Sequence, residues 1–212
     1  HRIDPGFLEL LWQQFELNEV AQKGLVLSLD ETDGQVQDTA SMPLLPKFID
    51  RDTKRKDYGT KHLRSGFSME VWFQLDFLDP FQVLLDNRNE TGKGLALVTT
   101  EKGTIEIVLN DGRTENRWEC DPGLIKSDAL HHLVVTVDGG PRIITFIVDG
   151  KLCDGADYRQ FGWGRFSPNL REANGEDTLR IGPNMKGQVK NLRIYDRCLL
   201  TSEAIGNYNA GL

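Results

Sequence analysis

The sequence has few cysteines, and they show no spacing that suggests a metal site. Only Cys120, Cys153 and Cys198 occur among 212 residues, and an odd count rules out a complete set of disulfides within one chain. No Cys-x-x-Cys is present, and no cysteine–histidine pair has the spacing of a zinc site. We therefore expect buried free thiols, with a single Cys120–Cys153 disulfide as an open alternative.

Long apolar runs and an excess of positive charge are also missing. No stretch approaches the roughly 18 apolar residues of a membrane-spanning helix, so we expect no membrane span. The formal net charge is -7, from 25 basic and 32 acidic residues, which disfavours binding to the phosphates of nucleic acid. The sequence starts at His1 without an initiator methionine or a signal peptide, so we expect an excised fragment or a processed product.

Common catalytic and metal-binding motifs are absent as well. The sequence contains no Gly-x-Ser-x-Gly, no His-Glu-x-x-His and no phosphate-binding loop. His131 and His132 are adjacent in a predicted strand, so their side chains should point to opposite faces. We expect neither to bind a metal.

What the sequence does contain is a short helical segment followed by a long β-rich region. Asp4-Pro5 is a typical helix start, and apolar residues then recur at helical spacing, which predicts a helix over residues 5–21. We therefore divide the chain into a helical linking or docking segment, residues 1–23, and a β domain, residues 24–212.

The β-rich region consists of short strands with a two-residue period, separated by glycine-containing turns. This pattern is typical of antiparallel sandwiches and predicts an all-β fold of two sheets. The predicted helices at the N- and C-terminal ends are short additions, and Thr201 is expected to cap the second. Strands are predicted from Leu25 and over residues 67–75, 81–85, 94–100, 104–110, 131–137, 142–148, 178–181 and 189–195.

Two stretches in the second half of the chain carry a family pattern. Residues 131–152 contain His-His-Leu-Val-Val-Thr-Val-Asp-Gly and then Phe-Ile-Val-Asp-Gly-Lys-Leu, and residues 187–197 read Gly-Gln-Val-Lys-Asn-Leu-Arg-Ile-Tyr-Asp-Arg. Together with residues 67–75, they resemble the laminin-G-like, concanavalin A-like jelly-roll domains. The resemblance covers residues 24–212 and implies a jelly-roll sandwich, but it marks turns and core strands and not a reaction.

The resemblance also makes His131 and His132 structural, so we expect one of them to pack or to hydrogen-bond and the other to contact solvent. Two further expectations concern other residues of these stretches. Asp149-Gly150 should supply the positive φ angles of a hairpin tip. Tyr195 should bury its ring and leave its hydroxyl in contact with solvent.

Hydrolases of the superfamily that the chain resembles carry three acids at alternate positions of one strand, as Glu-x-Asp-x-Glu. No such triplet occurs here. Two acids from different strands could still act together as the carboxylates of a glycoside hydrolase. Glu70 and Glu106 are the acids to test for that alternative.

The resemblance also implies where a structural calcium ion could bind, between the first strand and the closing strand. Lys190 and Asn191 stand where the family usually has acids, and Lys190 would repel a cation. Asp30, Glu31 and Asp33 could supply oxygen ligands nearby. We expect no cofactor, with structural calcium as the open alternative.

The segment over residues 158–166 has the most unusual composition in the chain, since four aromatic residues and two arginines alternate with glycines. Flat rings can stack on the C–H faces of sugars, and arginine can hydrogen-bond to hydroxyls or carboxylates. The candidate ligand-binding residues are Tyr158, Arg159, Trp163 and Arg165, with Trp118 as a second aromatic candidate. The alternative is that Phe161, Trp163 and Phe166 pack beneath the loop as a small core.

These observations favour a non-catalytic carbohydrate-binding or accessory module of a larger extracellular carbohydrate-active protein. Its ligand would be a glycan, and residues 1–23 would dock it to a neighbouring domain. The expected location is secreted or in the cell envelope or periplasm. A glycoside hydrolase with paired carboxylates and a protein–protein adhesion module are the two alternatives.

Overall fold

A computed structural model describes residues 19–31, 36–50 and 65–212 and shows two β-sheets packed face to face. Thirteen strands and one helix are present in these residues. They are β1 (Leu25–Asp30), β2 (Thr39–Ser41), β3 (Phe67–Leu75), β4 (Val83–Asp86), β5 (Gly94–Thr99), β6 (Ile105–Asn110), β7 (Glu115–Glu119), β8 (Leu130–Asp138), β9 (Ile143–Val148), β10 (Lys151–Leu152), β11 (Gly164–Arg165), β12 (Thr178–Ile181), β13 (Gly187–Tyr195) and α1 (Thr201–Ala210).

The strands divide into a seven-stranded and a six-stranded sheet. The first has the order β1-β13-β3-β8-β9-β10, with β11 also paired to β9, and the second has the order β2-β12-β4-β5-β6-β7. Each pair described is antiparallel. The predicted all-β, two-sheet sandwich is therefore confirmed.

The alternation of side chains explains how the sheets meet. In β3, Met69, Val71 and Phe73 point into the core between the sheets, whereas Glu70 and Trp72 point to the outer face. That outer face is also covered. A second apolar cluster joins Val134, Ile147 and Tyr195 of the sheet to Leu199 and to Ala204 of α1. The seven-stranded sheet is thus buried on both faces near its middle, which fits the continuous apolar runs of β8 and β9.

The turn between β9 and β10 has the predicted geometry. Asp149 and Gly150 have φ angles of 48° and 71°, as in a two-residue hairpin turn with both central residues left-handed. A Cβ atom on Gly150 would lie only 2.6 Å from the ring of Tyr208 in α1, so glycine is required there for packing as well as for the backbone.

The N-terminal end of α1 differs from the prediction in one respect. Leu200, not Thr201, occupies the capping position, and the Glu203 carboxylate accepts a 2.8 Å hydrogen bond from the Leu200 N–H. Glu203 also forms a bidentate ion pair with Arg197 at 2.7 and 2.8 Å. Glu203 therefore satisfies the backbone N–H of the capping residue and places a negative charge in the first turn, where the helix dipole favours it.

Several strand predictions need correction. Strands β2, β7, β10 and β11 were not expected, and β4 begins at Val83 and not at Phe81. The predicted helix over residues 5–21 lies, except for its last three residues, outside the described part of the chain. Asp33 also lies outside the described residues. In the residues that are described, no helix is long and apolar enough to cross a membrane.

Candidate functional site

The aromatic segment lies in the loop that leads from β10 into β11. Gly164 and Arg165 pair with Ile144 and Ile143 of β9, which ties the end of the loop to the seven-stranded sheet. The middle of the loop contacts β7, the edge strand of the six-stranded sheet, through Trp118. The loop therefore bridges the two sheets along one side of the sandwich.

Two glycines allow this close approach. A Cβ atom on Gly162 would lie 1.9 Å from the backbone oxygen of Cys153, and one on Gly164 would lie 2.1 Å from the ring of Trp118. Real Cβ atoms do not come so close to backbone or to a ring, so any larger residue would move the loop away from the sheet edge.

Trp118 and Arg159 hold the loop from beneath. The indole Nε1–H of Trp118 donates a 3.0 Å hydrogen bond to the Gly162 carbonyl, and the Arg159 guanidinium stacks on the Trp118 ring at 4.5 Å. Arg159 also donates to the Glu119 carbonyl at 3.1 Å and to the Asp121 carboxylate at 2.6 Å. Both predicted site residues are thus engaged by the protein itself.

Tyr158, Trp163 and Arg165 lie on the outer side of the same loop. Tyr158 is 69% exposed, and Phe161 is 47% exposed. The rings of Phe161 and Trp163 stack with centroids 4.9 Å apart, and the Arg165 guanidinium lies 5.8 Å from the Trp163 ring centroid. Three flat groups therefore lie against one another at the surface, and we call them the loop stack (Phe161, Trp163 and Arg165).

The alternative of a small core beneath the loop applies to one aromatic residue only. Phe166 is buried and packs on Phe48 with ring centroids 4.9 Å apart. Phe161 is exposed and Trp163 is only partly buried. The side chains at the loop therefore form two groups. Arg159 and Phe166 of the loop and Trp118 of β7 form an inner anchor, and the other aromatic residues form an outer face.

The cysteines near the loop are buried thiols. Cys120 and Cys153 are buried and form no disulfide in the structure. The third cysteine, Cys198, is partly exposed. Burial raises the pKa of Cys120 to about 12 and that of Cys153 to about 11, and the Ile105 N–H donates to the Cys120 sulfur at 3.2 Å. These two thiols act as small apolar groups and not as nucleophiles.

Glu70, one of the two acids proposed for hydrolysis, has no exposed surface. Its carboxylate accepts hydrogen bonds from Arg193 at 2.7 Å, His132 at 3.1 Å, Tyr195 at 3.0 Å and Asn207 at 2.5 Å. Burial alone would raise the pKa of Glu70, but the His132 hydrogen bond and the charges of His132 and Arg193 outweigh it and lower the pKa. This is a satisfied structural carboxylate beneath α1.

Glu106, the other acid, lies on the opposite side of the molecule. Its neighbours Ile105 and Ile107 point into the core, so Glu106 points to the outer face of the six-stranded sheet, where Arg117 contacts it at 3.1 Å. Glu70 points to the outer face of the other sheet. Packed sheets are about 10 Å apart, so both sheets separate the two carboxylates, and they cannot act on one substrate bond.

Two predictions of solvent contact are wrong. His131 and His132 are both buried, and the Tyr195 hydroxyl donates to Glu70 instead of facing water. His131 Nε2 accepts the Lys126 N–H at 2.9 Å, which leaves its Nδ1–H to donate to Asp149 at 2.8 Å. Neither face of β8 is open, because one packs into the core and α1 covers the other.

The region considered for calcium is occupied by protein groups. Lys190 pairs with Glu31 at 2.8 Å, and the Asn191 side-chain amide donates to the Asp30 carboxylate. Within the described ranges, no group of three or more histidine, cysteine, aspartate or glutamate side chains is arranged to hold a metal ion. The Lys190 ammonium supplies the positive charge that an ion would bring to Glu31.

Sequence reasoning missed the exposed Phe161 as part of the outer face, because its pattern fitted a buried position equally well. It also missed Phe81, which is 65% exposed beside a groove on the six-stranded sheet. The apolar residues that follow Phe81 gave it the pattern of a strand residue. Its φ of 65° could not be read from that pattern.

Comparisons with known proteins agree with this architecture. The sequence profile of a family described as the concanavalin A-like lectin/glucanases superfamily matches residues 55–205. No curated protein sequence matches the chain.

Solved structures share the fold at low sequence identity. The CBM40 of the Ruminococcus gnavus IT-sialidase, bound to α2,3-sialyllactose, is 13% identical with a TM-score of 0.52, covering 79% of this chain and 95% of that one. The botulinum neurotoxin serotype D binding domain is 13% identical with a TM-score of 0.58, covering 89% and 52%. A leech intramolecular trans-sialidase is 11% identical with a TM-score of 0.56, covering 91% and 29%. At these identities the likeness concerns the fold alone.

Proposed function

The chain belongs to the concanavalin A-like lectin/glucanase superfamily, and we propose that it is a non-catalytic carbohydrate-binding module of a larger carbohydrate-active protein. The ligand is a glycan, bound at the outer face of the loop between β10 and β11. Among proteins of similar fold, the Ruminococcus gnavus CBM40 is bound to sialyllactose, which supports a glycan as the class of ligand.

The observation that carries this proposal is the loop stack. Phe161 stacks on Trp163, the Arg165 guanidinium lies near the Trp163 ring, and Tyr158 is exposed in the same loop. Sugars present C–H-rich faces that pack on aromatic rings and hydroxyls that accept hydrogen bonds from a guanidinium. The stack offers both kinds of contact side by side.

The inner anchor makes this surface rigid before any ligand arrives. Trp118 and Arg159 fix the loop through the hydrogen bonds to Gly162, Glu119 and Asp121. A preformed loop loses less conformational entropy on binding than a mobile one, which favours affinity. In this proposal Trp118 and Arg159 position the loop, and Tyr158, Trp163 and Arg165 contact the glycan.

The relative positions of Glu70 and Glu106, the two acids considered for hydrolysis, argue against this pair as the carboxylates of a glycosidase. Glu70 is buried and fully hydrogen-bonded, and Glu106 lies across the sandwich from it. A glycosidase needs two carboxyl groups about 5–9.5 Å apart on either side of one bond. Glu70 and Glu106 are therefore not such a pair.

The setting of the module completes the proposal. We place the β domain at residues 24–212 and residues 1–23 as the segment that docks it to a neighbouring domain. The parent protein would be secreted or lie in the cell envelope or periplasm, where polysaccharides and glycoproteins are accessible. The end of that segment lies against α1 of the β domain, since the Ala21 N–H donates a 2.8 Å hydrogen bond to the Asn207 side chain.

Affinity electrophoresis tests this function. The protein is run through native gels that contain β-glucan, xylan, galactomannan or sialylated mucin, and reducing ends are assayed in parallel. We expect slower migration in at least one glycan gel without release of product. Trp163→Ala should sharply reduce the shift, and Trp163→Phe, which keeps a ring, should retain most of it.

A matched control is Leu44→Ala, which removes another exposed apolar side chain outside the loop. An unchanged shift with Trp163→Ala would contradict the loop assignment. Product release would favour a hydrolase, and capture of a protein ligand without any glycan shift would favour an adhesion module.

A further inference from the structure

A second concave surface lies on the outer face of the six-stranded sheet. It is a groove of about 290 Å³ formed by β5, β6, β7 and the turn between β5 and β6. Phe81 stands on one side, at the end of the loop that joins β3 to β4. The lining side chains include Thr100, Lys102, Glu106, Arg117 and Glu119. The volume is close to the lower end of the range for small-ligand sites, about 300–1,000 Å³.

Phe81 is held in this position against its conformational preference. Its φ is 65°, in the left-handed region that a bulky residue rarely adopts, and its ring is 65% exposed. The Phe81 N–H donates to the Thr99 carbonyl at 2.9 Å, and the Asn184 side-chain amide donates to the Phe81 carbonyl at 3.3 Å. Backbone strain of this kind persists only where surrounding contacts enforce it, and it concentrates at functional positions.

The loop that carries Phe81 is itself well anchored. The Gln82 side-chain amide donates to the backbone carbonyls of Phe77 and Asp79 at 2.7 and 3.2 Å. The Thr99 hydroxyl donates to the same Asp79 carbonyl at 2.7 Å. The Lys186 N–H in turn donates to the Gln82 side chain at 2.7 Å. An exposed aromatic ring is therefore presented on a rigid support beside the groove.

The opposite wall carries polar groups suited to sugar hydroxyls. Glu106 and Glu119 face each other across β6 and β7, and their side chains are only 19% and 18% exposed. Arg117 contacts Glu106 at 3.1 Å, and Lys102 contacts Glu119 at 2.6 Å. Carboxylates accept hydrogen bonds from adjacent hydroxyls, while the cations can donate to ring and hydroxyl oxygens.

The charge in the groove argues against an anionic ligand. Three carboxylates line it, those of Glu101, Glu106 and Glu119, against the two cations Lys102 and Arg117. Both cations are already paired to carboxylates. A ligand that carried its own carboxylate or sulfate would meet a net negative surface.

We propose that this groove is a second carbohydrate site, specific for a neutral sugar whose face stacks on Phe81 and whose hydroxyls bond to Glu106 and Glu119. This proposal rests on the proposed function and adds the ligand class to it. The glycan would contact the protein at two places, the loop stack and the groove. Trp118 beneath the loop and Glu119 in the groove are adjacent residues of β7, so both places lie along this strand.

Chemical-shift mapping of ¹⁵N-labelled protein tests the second site separately from the first. The probes are neutral cello-, xylo- and manno-oligosaccharides and lactose, with 3′-sialyllactose as the anionic counterpart of lactose. We expect a neutral probe to shift the backbone amides of residues 98–102 and 117–119. These shifts should persist in Trp163→Ala, in which the loop stack is lost, and sialyllactose should bind the groove more weakly than lactose.

Phe81→Gly removes the ring and also suits the left-handed backbone. We expect at least about tenfold weaker binding at the groove, as for loss of a central contact residue, together with an unchanged or higher melting temperature. Phe77→Ala is the matched control, because Phe77 is a 58% exposed phenylalanine of the same loop that does not line the groove. It should bind like the wild type.

The outcomes separate the two proposals. If Phe81→Gly binds every neutral probe as the wild type does, or if only loop amides shift, the groove is not a carbohydrate site while the proposed function stands. If no probe shifts any amide and no glycan gel retards the protein, both proposals fail. Stronger groove binding of sialyllactose than of lactose overturns the assignment to neutral sugars.

Discussion

Glu70→Gln gives the sharpest test of whether this carboxylate is structural. The side chain has no exposed surface, and four donors from β8, β13 and α1 converge on it. Gln keeps the shape but removes the charge, so Arg193 loses its counterion in a buried place. Breaking a buried ion pair by changing one partner costs about 3–5 kcal/mol. For a protein of this length, that corresponds to a fall in melting temperature of about 6–20 °C.

The effect should depend on pH in a defined direction. The pKa of Glu70 is lowered in the folded protein, so the ionised carboxylate contributes stability above the unfolded pKa, about 4.3. That contribution is lost as the pH falls through the lower, folded pKa. The difference in unfolding free energy between wild type and Glu70→Gln should therefore shrink between pH 7 and about pH 3.

Urea unfolding, followed by tryptophan fluorescence at both pH values, measures this difference. Glu106→Gln is the control, since that carboxylate is paired at the surface and its loss should cost only about 0–1 kcal/mol. The reasoning is refuted if Glu70→Gln costs less than about 1 kcal/mol at pH 7, the range of an ordinary surface pair. It is also refuted if the difference between the two proteins is the same at both pH values.

Three further predictions concern the loop, the thiols and the calcium alternative. Gly164→Ala should push the loop off Trp118, lowering the melting temperature and weakening glycan retardation together; unchanged binding would contradict the anchor. Cys120 and Cys153 should react with Ellman's reagent at pH 8 only after unfolding, and fast labelling of either would show that the burial is wrong. EDTA should leave the melting temperature unchanged because the Lys190 ammonium already pairs with the Glu31 carboxylate. A fall in melting temperature that calcium reverses would contradict this.

Local features with a strong intrinsic preference could be predicted from the sequence. Alternating apolar residues predicted β3 as a strand, and Asp149-Gly150 specified the hairpin turn between β9 and β10. Strand β7 was missed because Glu115, Arg117 and Glu119 are all charged, which is acceptable on an edge strand whose outer face meets solvent.

The sites depend on contacts between distant positions, which a periodic pattern does not contain. Glu70 meets its partners only because β3 lies between β8 and β13 and α1 covers that face. The composition of residues 158–166 marked the loop correctly as unusual. It could not show that Arg159 would point inward to Trp118 while Arg165 would lie outside.

The most direct test of glycan binding by the loop uses the side-chain N–H signals of the four tryptophans. A glycan that retards the protein in gels is titrated into ¹⁵N-labelled protein, and the indole signals are assigned through single Trp→Phe variants. Binding at the outer face of the loop predicts a saturable shift of the Trp163 indole, while that of Trp72, buried beneath α1, stays in place. A shift confined to Trp72, or a bound glycan that leaves Trp163 unmoved, would contradict the proposed site.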